Sequence, residues 1–343
     1  MYADIRHFDA ATSVLQEDVM QYVNHIAEIL HSRTDYFRGA ANKNVGDAFL
    51  IVWKYDDALV HNNNGVMSLD HDQTVVQTNE LAILSLAKTQ ADLKKSKSME
   101  KYRNNERLQE KSEDGVWDVR IQMGMHIGWA IEGAIGSEYK IEPSYISPNV
   151  TMTAKIEDLC KPYGVHIMIC NSVVEHISDV FKNELRMIDR VLLKGDTDPI
   201  ELYTIDLKTD MLVDDPKVMT IDKLSGLEKK QFKINNRCRR EIFMSKLENG
   251  KRTLYDCWKK DVDIKAMTAA FKPEFYTDWN VGIGAYIQGD WKTARNQFQK
   301  TLNFIADHTD VPSQNMIAFI DENIDKDVHT RWQGFREIIE VEE

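Results

Sequence analysis

What this 343-residue chain lacks narrows the field before any motif is read. It has no run of about 18 apolar residues, so no segment is expected to cross a membrane. The opening MYADIRHFDA carries Asp4 and Arg6 and has no apolar core of the kind a secretory signal needs. Cysteine is scarce. The four present, Cys160, Cys170, Cys238 and Cys257, show no Cys-x-x-Cys spacing and have no histidine cluster beside them. That pattern speaks for reduced thiols in a cytosolic compartment and against a zinc site. Positive charge is in deficit, with 43 Lys and Arg against 55 Asp and Glu and a formal net charge of -12. Nonspecific nucleic-acid binding needs the opposite balance, because Lys and Arg must neutralise phosphates.

What is present is ordinary for a soluble globular protein: 43% hydrophobic and 29% charged residues, which excludes disorder as the dominant state. At roughly 100–200 residues per domain the length suggests about two domains. Such a chain buries about 70–75% of its unfolded surface, so neither disulfides nor metals are needed merely to fold.

Helix and strand patterns alternate through about residue 206. The first helix is expected to start near Ser13, with Gln16 closing a capping box. Leu15, Val19, Tyr22, Ile26, Ile29 and Leu30 follow helical spacing. Residues 36–53 read as strand, turn, strand, with Gly46-Asp47 at the turn. A long helix is expected over 77–110. Its later part, KKSKSMEKYRNNERLQEK, reads as too polar to bury, hence a solvated extension or, alternatively, a basic docking surface. Strands follow at 118–125 and 130–135, a helix at 148–161, a strand at 165–170, and a closing strand pair in RMIDRVLLKG and PIELYTIDL. Residues 208–235 lack clear periodicity and read as a linker between a first domain, 1–207, and a helical region, 236–343.

Singly, Asp4 is a residue at the end of a short apolar start, and Asp47 is an ordinary hairpin-turn residue. Their arrangement says more. A strand ending in Asp4 and a hairpin tip carrying Asp47 set two carboxylates side by side on adjacent strands. Two hard oxygen ligands with open positions suit Mg²⁺ or Mn²⁺, which share their shell with substrate phosphates. Paired metals of this kind activate an attacking oxygen and stabilise a leaving one.

Four strings carry a resemblance: ADIRHF (3–8), KNVGDAFLIVW (43–53), VRIQMGMHIGWAIEGAIGSEYKIEPSYISPNVTMTAKIE (119–157) and RVLLKGDTDPIELYTID (190–206). In this order, over about the first 206 residues, they resemble class III nucleotidyl cyclases, and most of all the cyclase domains in large proteins of ciliates, algae and related protists. The resemblance implies an α+β fold with a ferredoxin-like βαββαβ core. It implies work as a homodimer, or as a heterodimer with another cyclase domain, with each site at the subunit interface. It assigns Asp4, Asp47 and the Ile5 carbonyl to two Mg²⁺ or Mn²⁺ per site. The turn from Arg6 to Phe8 would cradle the triphosphate with backbone N–H groups. Lys43 takes the purine-reading position and, as a donor, suits adenine N1, so ATP is expected over GTP. Lys194 takes the position that contacts the terminal phosphates. Outside this context Lys43 and Lys194 would read as exposed turn lysines.

This sequence also departs from the family. Thr151 and Lys155 stand where the family has Asn and Arg facing the α-phosphate and ribose. Their i, i+4 spacing keeps both on one helix face. Lys155 keeps the charge but loses the planar fork, and Thr151 cannot supply both an amide donor and a carbonyl acceptor. Losing one preorganised donor typically costs about 10²–10³ in rate. Ser144 replaces an Asp that accepts from the adenine amino group, which blurs base selectivity. Only Met1 to Ala3 precede Asp4, so the first strand is expected to be short and to expose sheet edge.

Towards the carboxy terminus, GAYIQGDWKTARNQFQKTL (284–302) resembles one tetratricopeptide-type helix pair, with Asp290 as N-cap and Trp279, Tyr286, Trp291, Ala294, Phe298 and Leu302 as core. Such units usually need about three repeats to stand alone, so this one is expected to pack on the cyclase domain or on a partner. The ending 327–337 reads as another helix or hook. Three functional readings stay open: a cyclase making cyclic AMP and pyrophosphate, a pseudocyclase that docks without turnover, and a structural subunit of a larger assembly. A cytoplasmic address is expected, with a ciliary axoneme suggested by analogy.

Overall fold

The computed structural model describes residues 1–63, 66–112, 115–213, 224–306, 308–326 and 331–338. Strand β1 (Tyr2–Ile5) runs almost directly into helices α1 (Phe8–Leu15) and α2 (Val19–Tyr36), which are joined by a 3₁₀ turn. The expected helix start at Ser13 is corrected: Ser13 lies inside α1, and its hydroxyl donates to the Ala10 carbonyl at 2.8 Å. Gln16, at φ +51, ends α1 rather than capping a helix.

Strands β2 (Ala40–Val45) and β3 (Ala48–Val52) form a hairpin. It turns on Gly46 at φ +64, a conformation glycine adopts without steric cost. A second hairpin, β4 (Val60–Asn63) with β5 (Val66–Leu69), precedes α3 (Gln73–Lys95), α4 (Lys97–Arg103) and α5 (Glu106–Gln109). The continuous solvated helix expected here is overturned. The backbone leaves the helix at Ser96, and Met99, Tyr102 and Leu108 are buried against the rest of the core. A few apolar side chains in a charged background suffice to pin one face, while Lys97 and Lys101 are exposed and Lys94 and Lys95 are drawn into ion pairs with Asp118 and Asp263.

The chain continues through β6 (Ile121–Met125), the hairpin β7 (Ile131–Ser137) and β8 (Lys140–Ile146), α6 (Pro148–Asp158), α7 (Cys160–Tyr163) and β9 (Ile167–Cys170). Then come α8 (Asn171–Val174), α9 (Asp179–Lys182), β10 (Arg186–Leu193) and β11 (Ile200–Thr204). Helix α10 (Gly226–Glu248) begins within the stretch read as linker, and residues 214–223 of that stretch lie outside the described residues. The remaining elements are α11 (Leu254–Lys260), α12 (Val262–Thr268), α13 (Pro273–Gln288), α14 (Trp291–Leu302), α15 (Val311–Asn323) and β12 (Arg336–Ile338).

Eight strands form one sheet in the order β12-β10-β11-β9-β6-β1-β3-β2. Alternation along β9 shows how its two faces are used. Ile167 and Ile169 join a core with Tyr22, Leu84, Met99 and Trp258, whereas Met168 and Cys170 join one with Ile156, Trp279 and Phe298. Helices therefore cover both faces. β1 is an inner strand, paired antiparallel with β3 and β6, so its four residues expose no sheet edge and that expectation is corrected.

Of the carboxy-terminal helices, α10, α11 and α12 bury their apolar residues in the first core, and α13, α14 and α15 belong to the second. Trp279, Tyr286, Trp291, Ala294 and Phe298 are buried, Asp290 accepts from the Thr293 N–H at 3.1 Å, and Trp279 Nε1 donates to the Met187 carbonyl at 2.7 Å. Two buried ionic knots fasten them to the sheet. Arg186 Nη2 lies 2.6 Å from Asp206 and 2.9 Å from Asp310. Arg336 Nε lies 2.5 Å from Asp189 Oδ2, its Nη2 donates to the Tyr163 hydroxyl, and the guanidinium covers the Tyr163 and Phe319 rings. The closing helix or hook expected at 327–337 is instead, in its described final residues, strand β12 lying parallel to β10; residues 327–330 lie outside the described residues.

Candidate functional site

The site grows from the end of β1. Asp4 pairs in register with Ala48, the first residue of β3, and Asp47 closes the β2–β3 turn just before it. The Ile5 N–H donates to Asp4 Oδ1 at 2.8 Å. Burial pushes the Asp4 carboxyl up, the Asp47 charge pushes it further, and it reaches about 6 despite the Ile5 N–H. Behind it, Glu157 of α6 is 2% exposed. Burial first, and then the charges of Asp4 and Asp158, push its carboxyl up to about 9 against the opposing Arg6. Oxygen donors thus converge here with too little positive charge among them.

That donor set fits a hard divalent cation. Asp4 and Asp47, with the Ile5 carbonyl between strand and turn, are the residues that would hold it. Among the described residues no group of three or more His, Cys, Asp or Glu side chains forms a closed metal cage. A cation bound by this pair would complete its shell with phosphate oxygens and water, as Mg²⁺ ordinarily does.

Beside it, Arg6 donates through its backbone to the Arg120 carbonyl at 3.0 Å and through Nη1 to Gln122 Oε1 at 3.2 Å. His7 turns the chain at φ 56, and α1 opens at the half-buried Phe8 with no side-chain cap on its first N–H groups among the described residues. Helix-starting N–H groups of this kind are suited to an anion.

Two further groups are assembled elsewhere on the chain. Lys43 Nζ on β2 lies 3.1 Å from Glu142 Oε2 on β8, two residues before Ser144 on the same strand face. Helix α6, capped by the Ser147 hydroxyl accepting from the Asn149 N–H at 3.1 Å, carries exposed Thr151 and half-buried Lys155. Lys155 Nζ donates to the Lys194 carbonyl at 3.2 Å and lies 3.7 Å from Asp196 Oδ2. The structure therefore brings Asp4 to Asp47, Lys43 to the strand of Ser144, and Lys155 to the turn of Lys194. On α6, Glu157 is turned towards Asp4, while Thr151 and Lys155 lie on a different face at 100° per residue. A cavity of about 350 Å³ at the other ends of β3 and β6, between Trp53, His126 and Tyr145, is lined by none of these residues.

Sequence reasoning missed Glu157, Asp158 and Glu142. Acidic residues at a helix end or on an exposed strand are common, and only the packing of α6 on β1 and of β8 on β2 sets these apart.

The family model described as the adenylate and guanylate cyclase catalytic domain matches residues 1–207. An adenylate cyclase of Anabaena cylindrica is 24% identical over 207 residues, covering 60% of this chain and 36% of its own. The terminal-differentiation specific adenylate cyclase of Dictyostelium discoideum is 25% identical over 207 residues, covering 60% of this chain and 8% of its own. The chain thus spans about a third or less of these curated relatives. Among solved structures, the guanylyl cyclase Cya2 is 16% identical with a TM-score of 0.42, covering 60% of this chain and 89% of that one. The adenylyl cyclase CyaB from P. aeruginosa is 16% identical with a TM-score of 0.43, covering 64% and 94%.

Proposed function

The chain belongs to the class III adenylate and guanylate cyclase family, and from that premise we propose that it converts ATP, in preference to GTP, into the 3′,5′-cyclic nucleotide and pyrophosphate. The observation that carries this reading is the apposition of Asp4 on β1 and Asp47 in the turn before the neighbouring strand β3, two carboxylates brought to one spot. Mg²⁺ or Mn²⁺ held by Asp4, Asp47 and the Ile5 carbonyl would supply positive charge to the triphosphate and lower the pKa of the ribose 3′-hydroxyl. The protein's own groups do the rest. Lys43 donates to adenine N1 once released from Glu142, and Ser144 meets the exocyclic amino group. The opening N–H groups of α1, next to Phe8, hold the triphosphate, and Lys194 its terminal phosphates. Lys155 and Thr151 face the α-phosphate and ribose. The 3′-oxygen attacks the α-phosphorus in line, and the bond to the bridging oxygen of pyrophosphate breaks.

The division of these residues among three places favours a site shared by two chains. Hairpin β7–β8 supports that reading: its strands pair only with each other among the described residues and expose Ile131, Ile135, Ile141 and Ile146. A second reading, docking without turnover, rests on Thr151 and Lys155. Lys155 is a point charge spent on a carbonyl, not a fork on a phosphate.

The test is turnover of ATP and GTP with Mn²⁺ by the native chain, by Asp47→Ala and by Thr151→Asn/Lys155→Arg. Cyclic AMP from the native chain, lost in Asp47→Ala, is the expected result. Silence of the native chain with an active double variant establishes the second reading. Silence of both, from folded protein, refutes catalysis by this chain acting with its own copy.

A further inference from the structure

The corner built by β2 and β8 holds one residue that the cyclase reading leaves without a task. Glu142 Oε2 lies 3.1 Å from Lys43 Nζ, and Lys140 Nζ holds its other oxygen at 2.6 Å. Lys43 reaches this place through an irregularity in β2. Ala41 pairs with Ile51 and Lys43 with Leu50, so Asn42 is an extra residue on that strand. Side chains directly opposite each other on paired strands share a sheet face. Without the extra residue Lys43 would stand opposite Phe49, on the face of the first core. With it, Lys43 stands opposite Leu50 and takes the other face, where it meets β8.

Hydrogen bonds from Lys140, and then from Lys43, hold the Glu142 carboxyl below its usual value, so it is ionised and can only accept. Ser144 donates or accepts, and alone cannot tell an amino group from a carbonyl. An ammonium beside a carboxylate is the complement of the adenine edge, which offers an acceptor at N1 and an amino donor at C6. Guanine carries the reverse at the same two places, N1–H towards the ammonium and a carbonyl towards the carboxylate. Resting on the cyclase reading above, we propose that Glu142 is the specificity-determining acceptor of the base site. Adenine inserts its edge into the ion pair: Lys43 turns to N1, and Glu142 Oε2 exchanges Lys43 for one hydrogen of the exocyclic amino group. The second hydrogen remains for Ser144. The exchange costs little, because both side chains are half exposed and such pairs hold together weakly. Lys140 keeps Glu142 in place throughout. Guanine in the same pose sets donor against donor and acceptor against acceptor, and is rejected for that reason.

The test is calorimetric titration of the full chain with 3′-deoxy-ATP and 3′-deoxy-GTP in the presence of Mn²⁺. Lacking the attacking hydroxyl, neither can cyclise, so binding is read apart from turnover. The native chain should prefer the adenine nucleotide by about tenfold or more. Glu142→Gln, whose amide can turn either a donor or an acceptor to the base, should narrow the preference to about threefold or less. Adding Ser144→Asp to that variant restores a fixed acceptor and should bring the preference back, which a merely structural role of Glu142 would not allow. Glu138→Gln, exposed on the same hairpin, should change neither affinity. Three results overturn the proposal: a native chain without preference, an unchanged preference in Glu142→Gln, or tighter adenine-nucleotide binding in Glu142→Ala, which would make Glu142 a plug on Lys43. A native chain that binds neither nucleotide overturns it together with the cyclase reading. A Glu142-dependent preference without cyclic nucleotide from ATP upholds the proposal and counts against turnover alone.

Discussion

Replacing Arg336 by Met should destabilise the protein far more than its place near the end of the chain suggests. Its guanidinium is enclosed by Asp189, the Tyr163 hydroxyl and the Tyr163 and Phe319 rings, and Asp189 is 0% exposed. Met fills much of the same volume, so the loss is electrostatic: a buried carboxylate keeps neutral donors, among them the Tyr163 hydroxyl and the Arg190 N–H, 2.7 Å away, but loses its cation. Removing one partner of a buried pair costs about 3–5 kcal/mol. For a cooperative unit of this size that is a fall in Tm of roughly 5–15 °C. The loss should depend on pH with a definite sign. Burial pushes the Asp189 carboxyl upward and Arg336 is the largest force opposing it, so without Arg336 the folded value rises well above the unfolded one. A raised carboxylate destabilises only as pH climbs past its unfolded pKa, so the deficit should be smaller at about pH 5 than at about pH 8. Urea unfolding at both pH values, followed by tryptophan fluorescence, measures this. The double variant Arg336→Met/Asp189→Asn removes the stranded charge and should recover most of the loss. A single variant within about 1 kcal/mol of the native protein, or a double variant no better than the single, would refute the reasoning.

Three other outcomes are expected. The Asp4 carboxyl, raised from 3.8 to about 6, withdraws stability as pH rises through that window; Asp47→Asn should therefore gain on the native chain at pH 7 and converge with it near pH 4 in urea titrations. Met99→Ala should lose about 2–5 kcal/mol in chemical unfolding, because Met99 is fully buried, whereas exposed Lys97→Ala should stay within about 0.5 kcal/mol. Gly164→Ala should cost about 1–3 kcal/mol by calorimetry, since Gly164 sits at φ +63 and an added Cβ would lie 2.6 Å from Val311 of α15.

The pattern of chemistry-bearing residues was readable because it is local. Asp4 at a strand end, Asp47 after a turn glycine, and Thr151 and Lys155 four apart on a helix owe their placement to short stretches of chain. The polar segment after Lys95 was misread for the opposite reason. Its Met99, Tyr102 and Leu108 are too few to mark a buried helix by composition, and it is the bend at Ser96 that turns them inward. Phe8 was not recognised as a helix start because the turn at His7 uses an αL backbone rather than a capping side chain. β12 and the pairing of Arg186 with Asp310 depend on contacts across more than a hundred residues, which no local period encodes.

The arrival of β12 has a consequence for synthesis. Val191 of β10 pairs with Arg336, and six helices, α10 to α15, lie between them in the chain. A ribosome adding about 5–20 residues per second makes β10 about 7–30 seconds before the strand that covers it. Throughout that interval the outer N–H and C=O groups of β10 stand open, at the border of a sheet otherwise ready to fold. The nascent chain is thus exposed to edge-to-edge pairing after β10 has emerged, and it is translation of β12, beyond the last helix, that ends the exposure.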